Sequence, residues 1–588
     1  MPICHLNELL EWTEPQAPEG VDGSVADDEK HCYLIPKRIK RTVDVAETTD
    51  PLTLVCHDMK GGYIDDHINN GHNNALAYRF THWSLVDIFI YFSHHMVTIP
   101  PIAWTTVAHR NGVRCFGTFI IEEPPETEVD EGRFLREYYM GMVNKTLADV
   151  ETVEKVTSIL ARIAAFYRFD GWLVNIEAPM AKEKIPLMEL FLRSLRAKTK
   201  AILGLPERDI AVIWYDAVTS DDGSLAWQNE LNFRNQEFFA ASDAIFLNYC
   251  WTEEHLDRCW AHLHGRYGHR AGRRLHNRVF VGIDVFGRGC FGGGGFFSNI
   301  ALREARQRAF SAAIFAPGWT WEILGPDNFT ANDNRLWDRL SRYIRERLFD
   351  RLPICTSFCE GVGGSGRYDR GQRIDSKPWC DLRQQSKRPV FISAEQACMV
   401  HHDAWQGGGS LRINTSSTLR WRSFTVFKLA VPVDLRHRYH YQLIYKNSHP
   451  GEVMVTTGLS IEEEVAGSGP ESGSWIYILD LDPADLEVPA VYSSLIRSVT
   501  YHQRALDNGW LADDFLIELN EDKVDTSGKP LPPPKNDEAS RTSKKVLENV
   551  LITNVRISLR RTDRATMSSA ELLKAPGFEV LLGAITLE

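Results

Sequence analysis

The chain has 588 residues and a formal net charge of −12, with 43% hydrophobic and 24% charged residues. That balance belongs to a globular protein too long for one hydrophobic core, so two or three domains are expected. The acidity, without a long Lys/Arg block, argues against nucleic acid as a partner, and no apolar run is long enough to read as a membrane-spanning helix.

From the N-terminus, Met1-Pro2-Ile3-Cys4-His5-Leu6 lacks the basic-then-apolar order of a signal peptide. The 11 cysteines are odd in number and scattered, which fits reduced thiols in a cytoplasmic protein better than a disulfide framework. Residues 1–49 read as an irregular polar arm. A rhythm of short apolar strands follows at Leu52–Cys56, Asp87–Phe92, Val113–Ile120, Trp172–Glu177, Ile210–Tyr215, Ala244–Tyr249, Val279–Asp284 and Ala312–Ala316. Helical patterns lie between several of them. The clearest runs through Val153, Val156, Ile159, Leu160, Ile163, Phe166 and Tyr167, and others cover 187–202, 256–267 and 336–348.

Eight strand and helix units over residues 50–350 predict an α/β fold, a (β/α)8 TIM barrel, with a doubly wound open sheet as the competing arrangement. In a barrel the reactive groups come from the carboxyl ends of the strands. Polar and aromatic residues recur there: His57 and Asp58, Tyr91 and His94, Glu122, Asn175 and Glu177, Trp214 to Asp216, Asn248, Tyr249 and Trp251, Asp284, and Trp319, Trp321 and Glu322. Residues 351–387, rich in Gly, Ser, Cys and charge, read as a connector. From 388 to 588 short alternating strands without long helices, the first at Val390–Ile392, predict an antiparallel β-sandwich region of one or two domains. Glu462–Ser474 and Asp525–Lys545 read as loops.

The stretch Phe169-Asp170-Gly171-Trp172-Leu173-Val174-Asn175-Ile176-Glu177 carries the chemistry. It reads as a buried strand whose last polar residues, Asn175 and Glu177, share one face, because side chains alternate along a strand. Glu177 suits a general acid whose pKa an apolar surrounding raises. Asn175 can neither attack nor donate a useful proton, so a nucleophile must come from elsewhere, and a substrate 2-acetamido oxygen would serve. The plainer alternative is a loop-capping Asn beside a solvated Glu.

Gly171 to Glu177, then Trp214-Tyr215-Asp216, Phe286-Gly287-Arg288-Gly289 and Ala316-Pro317-Gly318-Trp319-Thr320-Trp321-Glu322 resemble the endo-β-N-acetylglucosaminidases of glycoside hydrolase family 85. The segment Asp403-Ala404-Trp405-Gln406-Gly407-Gly408-Gly409-Ser410 resembles the start of that family's sandwich region. The resemblance implies cleavage between the two N-acetylglucosamines of the N-glycan core, with retention and frequent transfer to sugar acceptors. It also implies a cytosolic setting and, as partners, N-glycans on glycoproteins or glycopeptides and free oligosaccharides. It assigns the acid/base to Glu177, the amide that promotes an oxazoline to Asn175, a supporting role to Tyr215 and an acceptor-side aromatic to Trp251.

Other candidates for substrate contact are Trp227, Trp319, His94, Glu122 and Glu322, each equally readable as packing or hydrogen bonding. Gly287-Arg288-Gly289-Cys290-Phe291-Gly292 spells G-x-G-x-x-G, but it follows the seventh strand and further glycines follow it, so a flexible rim loop is the better reading than a dinucleotide site. No cofactor is implied. Histidines 57, 72, 82, 94, 95 and 109 lack the pairing of a metal site. Two rival functions stand: a two-carboxylate retaining glycosidase using Glu177 with Glu322 or Glu122, and a non-catalytic glycan-binding barrel.

Overall fold

The computed structural model of the chain describes residues 3–15, 50–59, 65, 68, 71–122, 141–388, 397–414, 421–434, 436–465, 473–482, 495–520, 546–561 and 579–588. These fall into two compact units, Met1–Asn70 with Leu76–Arg347, and Gly71–Ala75 with Leu348–Glu588.

The first unit is built on β1 (Thr53–His57), β2 (Ile88–Tyr91), β3 (Val97–Thr98), β4 (Arg114–Glu122), β5 (Gly171–Glu177), β6 (Val212–Tyr215), β7 (Ala244–Leu247), β8 (Val279–Asp284) and β9 (Ser311–Phe315). All pair in parallel except β3, an antiparallel addition to β4. The ring closes because β1 pairs with both β2 and β9, while β2 pairs with β4. A closed eight-strand parallel barrel removes the open-sheet alternative.

The helices follow the predicted rhythm. Val150–Tyr167 buries Val153, Val156, Ile159, Leu160 and Ile163 on one stripe, each worth about 1.5–3 kcal/mol of removal from water. Its start is capped by the Asp149 carboxylate, which accepts from the Thr152 N–H, and it stops at Arg168 in the left-handed region. Ile185–Leu203 opens with proline in its first turn and closes on Gly204 at φ 62°. The pattern read over 336–348 is shorter in the structure. The helix Phe329–Ser341 ends before Ile344 and Leu348, although Ile344 is still buried.

The N-terminal arm carries more structure than its composition predicted. Leu6–Leu10 is a helical turn with Leu9 fully buried, and Ile3 bridges Val97. Three apolar residues in a polar setting were too short a signal for periodicity to detect.

In the second unit, two antiparallel sheets share one core. Trp421–Asp434, Val546–Arg561, Val453–Val465 and Gly473–Leu481 form one sheet. The other contains Ala397–Val400, Ser410–Asn414, Glu579–Leu587, Arg438–Asn447, Trp510–Leu519 and Ile496–Ala505, with Ile354–Thr356 added on Glu579–Leu587. Val426, Phe427 and Ile557 from the first pack with Tyr441, Leu443 and Leu582 from the second, the sandwich that the alternation predicted. The stretch read as a connector contributes strands, and Ile496–Ala505 was missed because its mostly partly exposed and exposed side chains give no apolar alternation. The strand expected at Val390–Ile392 and the loop at Asp525–Lys545 lie outside the described residues, as does most of the loop expected at 462–474, whose two ends are strand.

Candidate active site

Strand parity decides which residues of β5 face the barrel axis. Trp172, Val174 and Ile176 point outward into packing, and Leu173, Asn175 and Glu177 point inward. The same parity turns Asp58 inward and His57 outward, where the imidazole stacks among Tyr78 and Trp104. On β6 it turns Tyr215 inward and Trp214 outward against Phe238.

The inward groups line a cavity of about 480 Å3 at the carboxyl ends of the strands, within the range of small-ligand sites. Its polar wall is Asp58, His94, Glu122, Asn175, Glu177, Tyr215, Asp284 and Arg288, and its apolar wall includes Phe92, Phe246, Tyr249, Phe286 and Phe315. Residues from eight separate strand ends therefore converge, as a barrel cleft requires.

At its centre the Asn175 Nδ2 donates to Glu177 Oε1 at 2.8 Å. Asn175 is 3% exposed, and its Oδ1 is buried with no hydrogen-bond partner among the described residues. An unsatisfied buried acceptor costs about 1–3 kcal/mol, so a ligand donor placed there would recover that cost. Burial raises the Glu177 pKa and the nearby Glu122 charge raises it further, while the Asn175 hydrogen bond and His94 pull the other way. A carboxyl kept protonated toward neutrality can serve as a general acid.

Glu122 sits beside Glu177 because β4 and β5 pair in register at those two positions. It is engaged by His94, whose Nδ1 meets Glu122 Oε1 at 2.8 Å while Nε2 lies 3.9 Å from Asp58. That hydrogen bond raises the His94 pKa, so the ring holds its charge to higher pH than a free imidazole.

Tyr215 donates its hydroxyl to Asn248 Oδ1 at 2.9 Å, and burial together with the Glu177 charge pushes its pKa well up. Asn248 Nδ2 in turn donates to Asn229 Oδ1 at 2.9 Å. Asn229, at φ 58°, is fixed by Asp216, which accepts its backbone N–H at 2.7 Å and the Asn235 Nδ2 at 2.9 Å. Burial raises Asp216 to about 6. This chain of amides holds the phenol from behind. Asn229 and Asn235 escaped the sequence reading, and the one available signal was that Asn tolerates the left-handed region better than other side chains with a Cβ.

Arg288 was quoted only as part of a glycine-rich motif, yet it lines the cavity, its Nε donating to the buried Asp284 at 2.7 Å. The loop that carries it is compact. A Cβ on Gly294 would lie 2.4 Å from Gly287 Cα, so the two strands of the loop cross backbone to backbone. No strand-to-helix phosphate turn forms there, because the next helix begins only at Ser298.

Trp227, Trp251, Trp319 and Glu322 are absent from the cavity wall. Trp251 is 2% exposed, donates its Nε1 to Gly282 O at 2.7 Å and stacks on Phe291. Trp227 is 41% exposed, and Trp319 packs edge-on against Phe296. Among the described residues no group of three or more His, Cys, Asp or Glu side chains could hold a metal ion.

The family model of glycosyl hydrolase family 85 matches residues 63–366. The cytosolic endo-beta-N-acetylglucosaminidase of Gallus gallus is 40% identical over 417 residues, covering 70% of this chain and 52% of that protein. Its namesake from Homo sapiens is 35% identical over 534 residues, covering 88% of this chain and 66% of that protein. The chain thus spans about half to two thirds of the length of these relatives. Among solved structures, the glycoside hydrolase domain of Endo-D from Streptococcus pneumoniae R6 matches with a TM-score of 0.64 at 15% identity, covering 100% of this chain and 82% of that one. That likeness speaks to the fold.

Proposed function

The chain belongs to glycosyl hydrolase family 85, and from that premise we propose that it is an endo-β-N-acetylglucosaminidase acting on the GlcNAc-β1,4-GlcNAc core of N-glycans. In this reading it works with retention through an oxazoline, and hands the glycan to water or to a sugar hydroxyl. The likeness to the cytosolic endo-beta-N-acetylglucosaminidases of Gallus gallus and Homo sapiens supports the activity and a cytosolic setting. The observation that carries the mechanism is the Asn175 carboxamide, tied to Glu177 on one side and left with an open acceptor on the other.

The steps follow from that arrangement. The acetamido oxygen of the bound sugar attacks C1, an intramolecular reaction whose entropic cost is already met by binding. As it does so the acetamide N–H becomes more acidic, and Asn175 Oδ1 accepts it. Glu177, whose pKa burial raises, gives its proton to the leaving oxygen, and the C1–O bond breaks. The resulting carboxylate then takes a proton from water or an acceptor hydroxyl as that oxygen attacks C1 and reopens the ring. Tyr215, its proton retained and directed to Asn248, leaves its oxygen lone pairs to face the reacting sugar.

The two-carboxylate alternative rests on Glu122, which β-sheet register sets beside Glu177. Its contact with His94 supplies another role, that of a charge which biases Glu177. Incubation with a defined N-glycopeptide followed by mass measurement tests the proposal. A single N-acetylglucosamine left on asparagine is the expected product. An intact glycopeptide, or cleavage at any other bond, refutes it.

A further inference from the structure

A second basic feature lies on the outer helix of the barrel, away from the catalytic cavity and independent of the reading above. The helix Glu253–Leu275 is broken at Gly268, whose φ of 76° and ψ of 160° reverse the chain. The segment after the break returns along the segment before it. A Cβ on Gly272 would lie 3.0 Å from Leu263 O and 3.2 Å from His264 Cα, so a glycine there permits the close crossing.

The hairpin borders an open surface pocket of about 570 Å3 lined by His264, His269, Arg270, Arg273 and Arg274. Neighbouring arginines are neutralised: Arg258 by Glu230 at 2.8 Å, Arg266 by Glu237 at 3.0 Å and Arg308 by Asp257 at 2.6 Å. Arg270, Arg273 and Arg274 are exposed and make no ion pair among the described residues. Their spacing of three and four places like charges on one helical face, which destabilises the helix unless an anion joins them.

The imidazoles of the hairpin are held by one another. His276 Nδ1 faces the Arg308 carbonyl at 3.0 Å and must donate to it, so its Nε2 accepts from His264 Nε2 at 3.1 Å. His264 Nδ1 is then a bare acceptor, shielded from solvent and without a partner among the described residues, so it offers an anion no hydrogen bond and the three guanidinium groups carry the site.

We infer that this hairpin pocket binds a polyphosphate-bearing small molecule. Guanidinium forks match the several oxygens of phosphate groups, and three of them exceed what one carboxylate can satisfy. The pocket volume admits more than one phosphate.

The test titrates the full chain with inorganic phosphate, pyrophosphate and tripolyphosphate by calorimetry, alongside R270A/R273A/R274A and the control Arg342→Ala, whose arginine pairs with Asp338. Affinity is expected to rise with phosphate number, to fall about a hundredfold in the triple variant, and to stay within about twofold in the control. Circular dichroism shows that the variant is folded, and the His264 and His269 ring resonances are expected to shift on titration of the native chain. No saturable binding of tripolyphosphate, or equal binding by the folded triple variant, overturns the inference.

Discussion

Asn175 Nδ2 donates to Glu177 Oε1 across 2.8 Å, and this one contact sets the orientation of both groups. It fixes which end of the amide is nitrogen and so leaves Oδ1 with no donor among the described residues. It also occupies Oε1, which leaves Oε2 as the oxygen to carry the proton. Strand parity alone puts these two side chains, two positions apart, on the same face.

Removing the amide and removing the acid are therefore expected to separate. Asn175→Ala loses the stabilisation of ring closure, and cleavage of a natural N-glycan falls about 100- to 1,000-fold, the usual size for one preorganised donor or acceptor. A preformed sugar oxazoline bypasses that step, so the variant is expected to transfer it to an acceptor at close to the native rate. Glu177→Gln is expected to lose hydrolysis outright. Equal losses by Asn175→Ala on both donors would remove Asn175 from ring closure.

The pH profile reports the surroundings of Glu177. A general acid acts while protonated, so kcat/KM falls as pH rises through its pKa in the free enzyme. Burial, then the Glu122 charge, raises that pKa, whereas the Asn175 hydrogen bond and the His94 charge lower it. His94→Gln takes away a positive neighbour and keeps the negative one, so the alkaline limb is expected to move to higher pH. An unmoved limb, or one moved down, would place the His94 charge elsewhere in the mechanism.

Glu122→Gln separates a charge that biases from a nucleophile that bonds. Loss of a nucleophile costs on the order of 10,000-fold or more in kcat. Loss of a biasing charge whose partner His94 also relaxes is expected to cost about tenfold or less, with no sugar adduct on any carboxylate when the reaction is quenched and the protein weighed. A mass increase matching a bound glycan would establish the two-carboxylate route.

Tyr215→Phe deletes the hydroxyl that bonds Asn248 at 2.9 Å, and kcat is expected to drop about tenfold to a hundredfold with KM little changed. Asn248→Ala keeps the hydroxyl but frees it from the chain of amides, and a smaller loss of kcat is expected. A change confined to KM in both variants would mean that the phenol binds the ground state alone.

What sequence could reveal here depended on whether a local pattern determined the outcome. The barrel was legible because eight strands and their amphipathic helices each carry their own period, as in Val153 to Tyr167. That Asn175 and Glu177 share one face at a strand end was legible because parity and strand-end position are local properties. Asn229 was not, since its importance comes from meeting Asn248 across 19 residues of chain, a fact of tertiary structure. The distinction between a tryptophan that stacks on sugar and one that fills a core is likewise invisible in the residue name.

Trp251 and Trp227 make that last distinction measurable. At 2% exposure, with its Nε1 bonded to Gly282 O and its ring on Phe291, Trp251 behaves as core. Its replacement by alanine is expected to cost about 3–5 kcal/mol of unfolding free energy in a denaturant titration. Gly282, whose carbonyl holds the indole, lies against the Tyr249 ring of the cavity wall, a Cβ there coming within 2.8 Å of it. Activity in Trp251→Ala should then fall through disorder of the cavity wall, affecting hydrolysis and transfer alike. Trp227, 41% exposed, should cost less than about 0.5 kcal/mol on the same substitution. Were Trp251→Ala as stable as the native chain and defective only in transfer to sugar acceptors, the ring would have to be exposed to the acceptor, contrary to its hydrogen bond and stack.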